Sequence, residues 1–180
     1  MGDTLHIEGI LRIYEVPPEL LDKNFLLKWY RHITKKGWKH LTLADKAREG
    51  KQVVEAHNLL TTSGRTQILN FIGASGSTGA FAKYYSVGTG AIYVVQPSDT
   101  ALASELFRAV PASYSVVGNQ VTITTNFGTT QANGTYTEAG LWGGAASGTL
   151  GSGTLYTHLL YSYTKANGVA IVNDYTLTAT

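Results

Sequence analysis

The chain has 180 residues, 14 Lys/Arg against 12 Asp/Glu, a net charge of +2 and no cysteine, which excludes a disulfide framework and a thiolate centre and leaves too little charge to drive nucleic-acid binding by itself. The length fits one domain with room for an appendage. No apolar run approaches the roughly 20 residues that span a bilayer, and Met1–Thr4 does not open a basic-then-apolar leader pattern.

Charge divides the chain. Residues 1–65 hold 11 basic and 8 acidic groups, which leaves 3 and 4 for residues 66–180. Residues 4–16 predict a strand or extended arm, with Gly9 as the place for a bulge and Pro17 and Pro18 as its end. Leu20, Phe25, Leu27, Trp29 and Ile33 then predict an amphipathic helix over residues 19–34, stopped by Gly37. Residues 38–44 and 51–59 predict strands around the polar turn at 45–50.

Ser63 and Gly64 predict the opening of a short helix that ends at Gly73. Residues 74–79 predict a loop, and residues 82–88 and 91–95 strands that break at Gly88–Gly90. A second short helix is expected from Pro97, because Leu102 and Leu106 stand four apart. Beyond residue 111 the pattern is β throughout. Segments 113–117 and 120–127 flank the hairpin signal Gly118-Asn119; residues 135–142, 154–163 and 169–178 complete the set. The fold class expected is mainly β: an antiparallel β-sandwich, jelly-roll or immunoglobulin-like, with two short helices and an N-terminal arm plus amphipathic helix. The expected partition is 1–50 for arm and basic helix, used for attachment, and 51–180 for the sandwich.

A body with so few charges offers little for acid–base, metal or phosphate chemistry. Gly73–Gly79 lacks the Lys-Ser/Thr of a phosphate loop, and Gly73-Ala74-Ser75-Gly76-Ser77 misses the nucleophile elbow at its fifth position. His6, His32, His40, His57 and His158 show no metal-ligand spacing and read as surface or core-edge residues. Asn133-Gly134-Thr135 matches a glycosylation sequon but reads better as a turn. No catalytic, metal or cofactor residues are therefore assigned. Glu138 lies in an apolar stretch, and a buried carboxylate needs a partner; Arg108 or Arg65 is the expected one, in a structural ion pair. The basic aromatic run Lys28, Trp29, Arg31, Lys35, Lys36, Trp38, Lys39 is the candidate partner-docking patch, for a protein surface in preference to nucleic acid.

Four phrases in order, His57–Arg65, Tyr85–Gly90, Asp99–Arg108 and Ala132–Trp142, give residues 51–180 a resemblance to a recurrent family of bacteriophage virion proteins, tail-fibre-like and head-decoration-like. The resemblance implies a non-enzymatic virion component, attached as a head decoration or cement, or alternatively at the tail or a fibre. It implies homo-oligomers, pictured as trimers, bound to other virion proteins, and no cofactor. Neutral Thr/Ser/Gly/Tyr strands suit such repeated contacts. A reading from another class is a carbohydrate-binding module, in which Tyr84, Tyr85, Trp142, Tyr156, Tyr161 and Tyr163 would stack on sugar rings.

Overall fold

The computed structural model describes residues 7–16, 51–73, 82–90 and 94–179. Their elements in chain order are β1 (Ile7–Val16), β2 (Lys51–Leu60), α1 (Thr62–Gly73), β3 (Tyr84–Gly88), β4 (Glu105–Ala109), β5 (Ser113–Val117), β6 (Gln120–Phe127), β7 (Gly134–Gly143), β8 (Thr154–Lys165) and β9 (Ala170–Ala179). The fold is mainly β. All nine strands join in one antiparallel sheet in the order β4-β3-β7-β8-β2-β1-β9-β6-β5. Two separate stacked sheets, as a sandwich has, are thus not what the hydrogen bonding gives. β2 is the hinge: it pairs with β1 along most of its length, and with β8 only at Leu59–His158 and Leu60–Thr157.

The sheet curls because one face is apolar along both halves. Leu11 and Ile13 of β1, Tyr85 and Val87 of β3, Phe127 of β6, Leu159 of β8, and Ile171 and Tyr175 of β9 share one buried cluster. In sheet order β3 and β4 lie far from β6, yet their rings meet. Phe107 and Phe127 pack edge to face at 5.2 Å, and Tyr85 lies 5.8 Å from Phe127. The Tyr114 hydroxyl of β5 donates to the Ala82 carbonyl ahead of β3 at 2.7 Å. The curl is closed by these side chains, and the result is a half-barrel.

β1 does not behave as a detached arm. It lies between β2 and β9 and pairs with β9 from Ile7–Ala179 to Val16–Ala170. The partition at residue 50 that charge suggests therefore cuts through the sheet. Alternation explains the placement: Leu11 and Ile13 point inward while Ile10, Arg12 and Tyr14 face outward. The register shift falls between Ile13 and Tyr14, not at Gly9. Gly9 stays in register opposite Asn58, whose amide fills the space a Cβ would take.

Among the described residues α1 is the one helix. Thr61 caps it, its hydroxyl accepting from the Gly64 amide at 3.0 Å while donating to the Leu155 carbonyl at 2.6 Å. The helix expected from Pro97 does not form; residues 105–109 are strand β4 instead. Leu102 is buried and Leu106 exposed, so the two do not share a face. Gly118 adopts φ 59° in the β5–β6 hairpin, the positive angle that a type II′ turn places on glycine. The expected helix at 19–34 and strand at 38–44 lie outside the described residues; of the strand at 91–95 only Val94 and Val95 are described, and they are not strand.

Phe127, fully buried between Tyr85 and Phe107, is the ring on which closure rests. Phe127→Ala is expected to cost about 3–5 kcal/mol, read as a lower urea midpoint with an unchanged far-ultraviolet spectrum at zero denaturant.

Candidate functional site

The polar groups that the fold gathers lie on the outer face of β3, β7 and β8. On the β7–β8 ladder Gly140 faces His158 and Glu138 faces Leu160, so Glu138 and His158 are diagonal neighbours on one face. Residues 94–104 cross over them and bring Asp99. His158 Nδ1 lies 2.7 Å from Asp99 Oδ2, and its Nε2 lies 3.1 Å from Glu138 Oε2. The imidazole is fully buried, as is the Glu138 carboxylate.

Glu138 has further donors. Its Oε1 accepts from the amides of Gly90 at 3.0 Å and Ser104 at 2.8 Å, and its Oε2 from Ala103 at 2.9 Å. Burial alone would raise this carboxyl, but the hydrogen bonds from His158 and the three amides outweigh it and hold it below the usual carboxylate range. Burial would likewise lower His158, and the two carboxylates outweigh it and hold the ring above its usual value. With an oxygen acceptor at each ring nitrogen, the favoured state is the imidazolium, which donates at both. A Cβ on Gly88 or Gly90 would meet the Glu138 carboxylate, which is the physical reason for that pair of glycines.

Glu138 therefore pairs with His158 and not with Arg108 or Arg65. Arg108 is spent elsewhere. Its Nε and Nη2 grip both oxygens of Glu105 at 2.7 and 2.6 Å, a buried bidentate fork. Its Nη1 donates to the Ser147 and Ser152 carbonyls at 2.9 and 3.1 Å, and its guanidinium lies 4.8 Å from the centre of the Trp142 ring. Arg65 is exposed and donates to the Leu60 carbonyl at 3.4 Å. The carboxylate needed a partner for the reason given by burial, but that partner was a histidine not singled out by any local pattern.

All seven charged residues of 66–180 are bonded inside the protein. Besides Asp99, Glu105, Arg108 and Glu138, Lys83 donates to the Gly144 carbonyl at 2.6 Å, Lys165 to Asn133 Oδ1 at 2.6 Å, and Asp174 accepts from Thr124 at 2.6 Å. Among the described residues no group of three or more His, Asp or Glu is arranged to hold a metal ion. None of the described helices is long and apolar enough to cross a membrane. His158 presents neither ring nitrogen to solvent, so the cluster is built to fasten Gly90 and residues 99–104 to β7 and β8. The docking candidates Lys28, Trp29, Arg31, Lys35, Lys36, Trp38 and Lys39 lie outside the described residues. Of the aromatic residues considered for sugar stacking, Tyr85, Trp142 and Tyr156 are buried, and the Trp142 indole donates to Ser86 Oγ at 2.6 Å.

The two shifts set a pH window with opposite flanks. The raised His158 contributes fully below its unfolded value of about 6.5 and loses that contribution as pH climbs through the folded value. The lowered Glu138 contributes above its unfolded value of about 4.3 and loses it as pH falls through the folded one. The stability gap between the wild type and His158→Gln is thus expected to be widest between about pH 4.3 and 6.5 and to narrow on the alkaline side; urea titrations at successive pH values measure it, and a gap that widens with rising pH would contradict the assignment. Compared with known proteins, the chain matches no family, no curated protein and no solved structure.

Proposed function

We propose that this chain is a non-enzymatic structural protein of a bacteriophage virion, present in multiple copies and attached to the particle as a head decoration or cement protein. The observation that carries the reading is the use made of the scarce charges: all seven in residues 66–180 serve internal bonds. The phrases behind the family resemblance supply two of these ties, one centred on Glu138 and one on Arg108. Both pin non-strand segments to a strand surface, as a durable particle component needs.

The basic aromatic segment supports the attachment part of the reading. In sequence the run Lys28–Lys39 falls between β1 and β2, whose residues Glu15 and Lys51 are antiparallel partners. A basic aromatic insertion in the sequence between two paired strands is what an attachment segment would be. Attachment at the tail or a fibre is the alternative within the same reading, and copy number separates the two.

A carbohydrate-binding module keeps one observation in its favour. Ile10, Arg12, Tyr14, Gln120, Thr122, Asp174, Thr176 and Thr178 line a shallow polar groove on the outward face of β1, β9 and β6. A tyrosine beside charged and hydroxyl groups is a composition that sugars use. A glycan array probed with the purified chain tests this: retention that Tyr14→Ala abolishes is the outcome that supports it, and no retained glycan removes it.

For the virion reading, quantitative mass spectrometry of purified particles is expected to find the chain, in a copy number set by shell symmetry for a decoration protein and in a few fixed copies for a tail component. Particles that contain none of it would overturn both forms.

A further inference from the structure

The two edges of the sheet are neighbours in sequence. β4 and β5 stand at opposite ends of the strand order, and only residues 110–112 separate them. Among the described residues, seven large apolar side chains are exposed, and five of them, Leu106, Val110, Tyr114, Val116 and Val117, fall on this short stretch. Every residue of β5 is exposed. An edge strand presents unpaired amides and carbonyls, and proteins ordinarily guard such an edge with lysine, proline or an inward charge. β5, Ser-Tyr-Ser-Val-Val, carries none of these, and from Ala109 to Thr137 the chain has no charged residue at all.

We propose that β5 is a self-association edge: two copies of this chain pair their β5 strands antiparallel across a two-fold axis at Ser115. The sequence is self-complementary in that register. Tyr114 of each copy falls opposite Val116 of the other, and Ser113 opposite Val117. Tyr114 and Val116 lie on one face of the strand, so the pairing brings two aromatic–β-branched cross-strand contacts together. Val116 and Val117, more than two-thirds exposed in the single chain, would be covered. The occupant is a copy of the chain because the edge is neutral over its whole length. A strand from a basic or acidic partner would find no opposite charge here, whereas a second β5 meets no like charge.

The Tyr114 hydroxyl is anchored on Ala82, so the ring is held in place before pairing. A five-residue strand buries less than the roughly 1,200–2,000 Å² of a standard interface, so the association depends on concentration. The two-fold contact gives dimers as its unit, where the resemblance alone suggests trimers. The inference rests on the virion reading only in expecting many copies at close quarters; the edge itself argues for pairing.

Sedimentation equilibrium of the full chain from about 1 to 500 µM, the range suited to a small interface, is the test. The mass is expected to rise from 19.3 kDa toward twice that value. Val116→Lys is expected to weaken association at least about tenfold with an unchanged thermal midpoint, while Val94→Lys, an equally exposed apolar site away from the edge, leaves it unchanged. The chain has no cysteine, so Ser115→Cys is a clean second probe: under mild oxidation it is expected to form a covalent dimer joined at position 115 much faster than Ser98→Cys does. A chain that stays single throughout, or association indifferent to Val116→Lys, or equal cross-linking of the two cysteine variants, would overturn the interface. A single chain that is still found in particles would sink this interface and spare the virion reading; a dimer absent from particles would do the reverse.

Discussion

Removing a carboxylate from water costs several kcal/mol unless other groups replace the lost hydration, and at Glu138 that demand organises the outer face of β3, β7 and β8. The side chain stands on the outer face of a central strand, where Gly90 and residues 94–104 cover it. Its oxygens are met by three backbone amides and one imidazole. Because the amides belong to the covering segment, the path of that segment is set by where the carboxylate lies. Gly88 and Gly90 make room for it, Asp99 completes the coordination of His158, and Leu102 is delivered onto Trp142 and Leu155. The chain then enters β4 at Glu105, where the second buried tie begins.

The Arg108–Glu105 fork repeats the device with different chemistry. It fastens the turn-rich segment 143–153 through the Ser147 and Ser152 carbonyls and the Gly151 amide. With both segments in place, β3 and β7 are sealed on two faces: an apolar inner face within the curl and a polar, fully bonded outer one. This explains the unbroken burial from Glu138 to Gly143, which a sheet with one wet face would not show. Breaking either tie by removing one partner would leave the other buried without its match, so each pair is more costly to split than to replace by apolar groups.

Much of the strand content was legible because it rests on local patterns. The alternation of Leu11 and Ile13, the Gly118-Asn119 turn and the long β8 and β9 segments each carry their own signal. The sheet order was not, because β1 pairs with residues more than 150 positions away and no local pattern encodes a partner. The helix expected from Pro97 failed for a comparable reason. Leu102 and Leu106 have helical spacing, but the amides of Ala103 and Ser104 are claimed by Glu138, and residues 105–109 pair with β3. At the site, the demand of Glu138 for a partner was readable from its apolar neighbourhood. The identity of that partner was not, since the Glu138–His158 juxtaposition depends on a β7–β8 register with irregularities on both sides of the glutamate.

The position of β1 also bears on how the chain reaches its folded form. Its slot lies between β2 and β9, and β9 is the last of the described strands in sequence. During synthesis β1 is made well before β9, so one of its two ladders cannot form until β9 follows. Such long-range closure slows folding, and in the interval the apolar residues of β1 have a single flank covered at most. The insertion of β9 between β1 and β6 is therefore expected to be the closing step in assembly of the half-barrel.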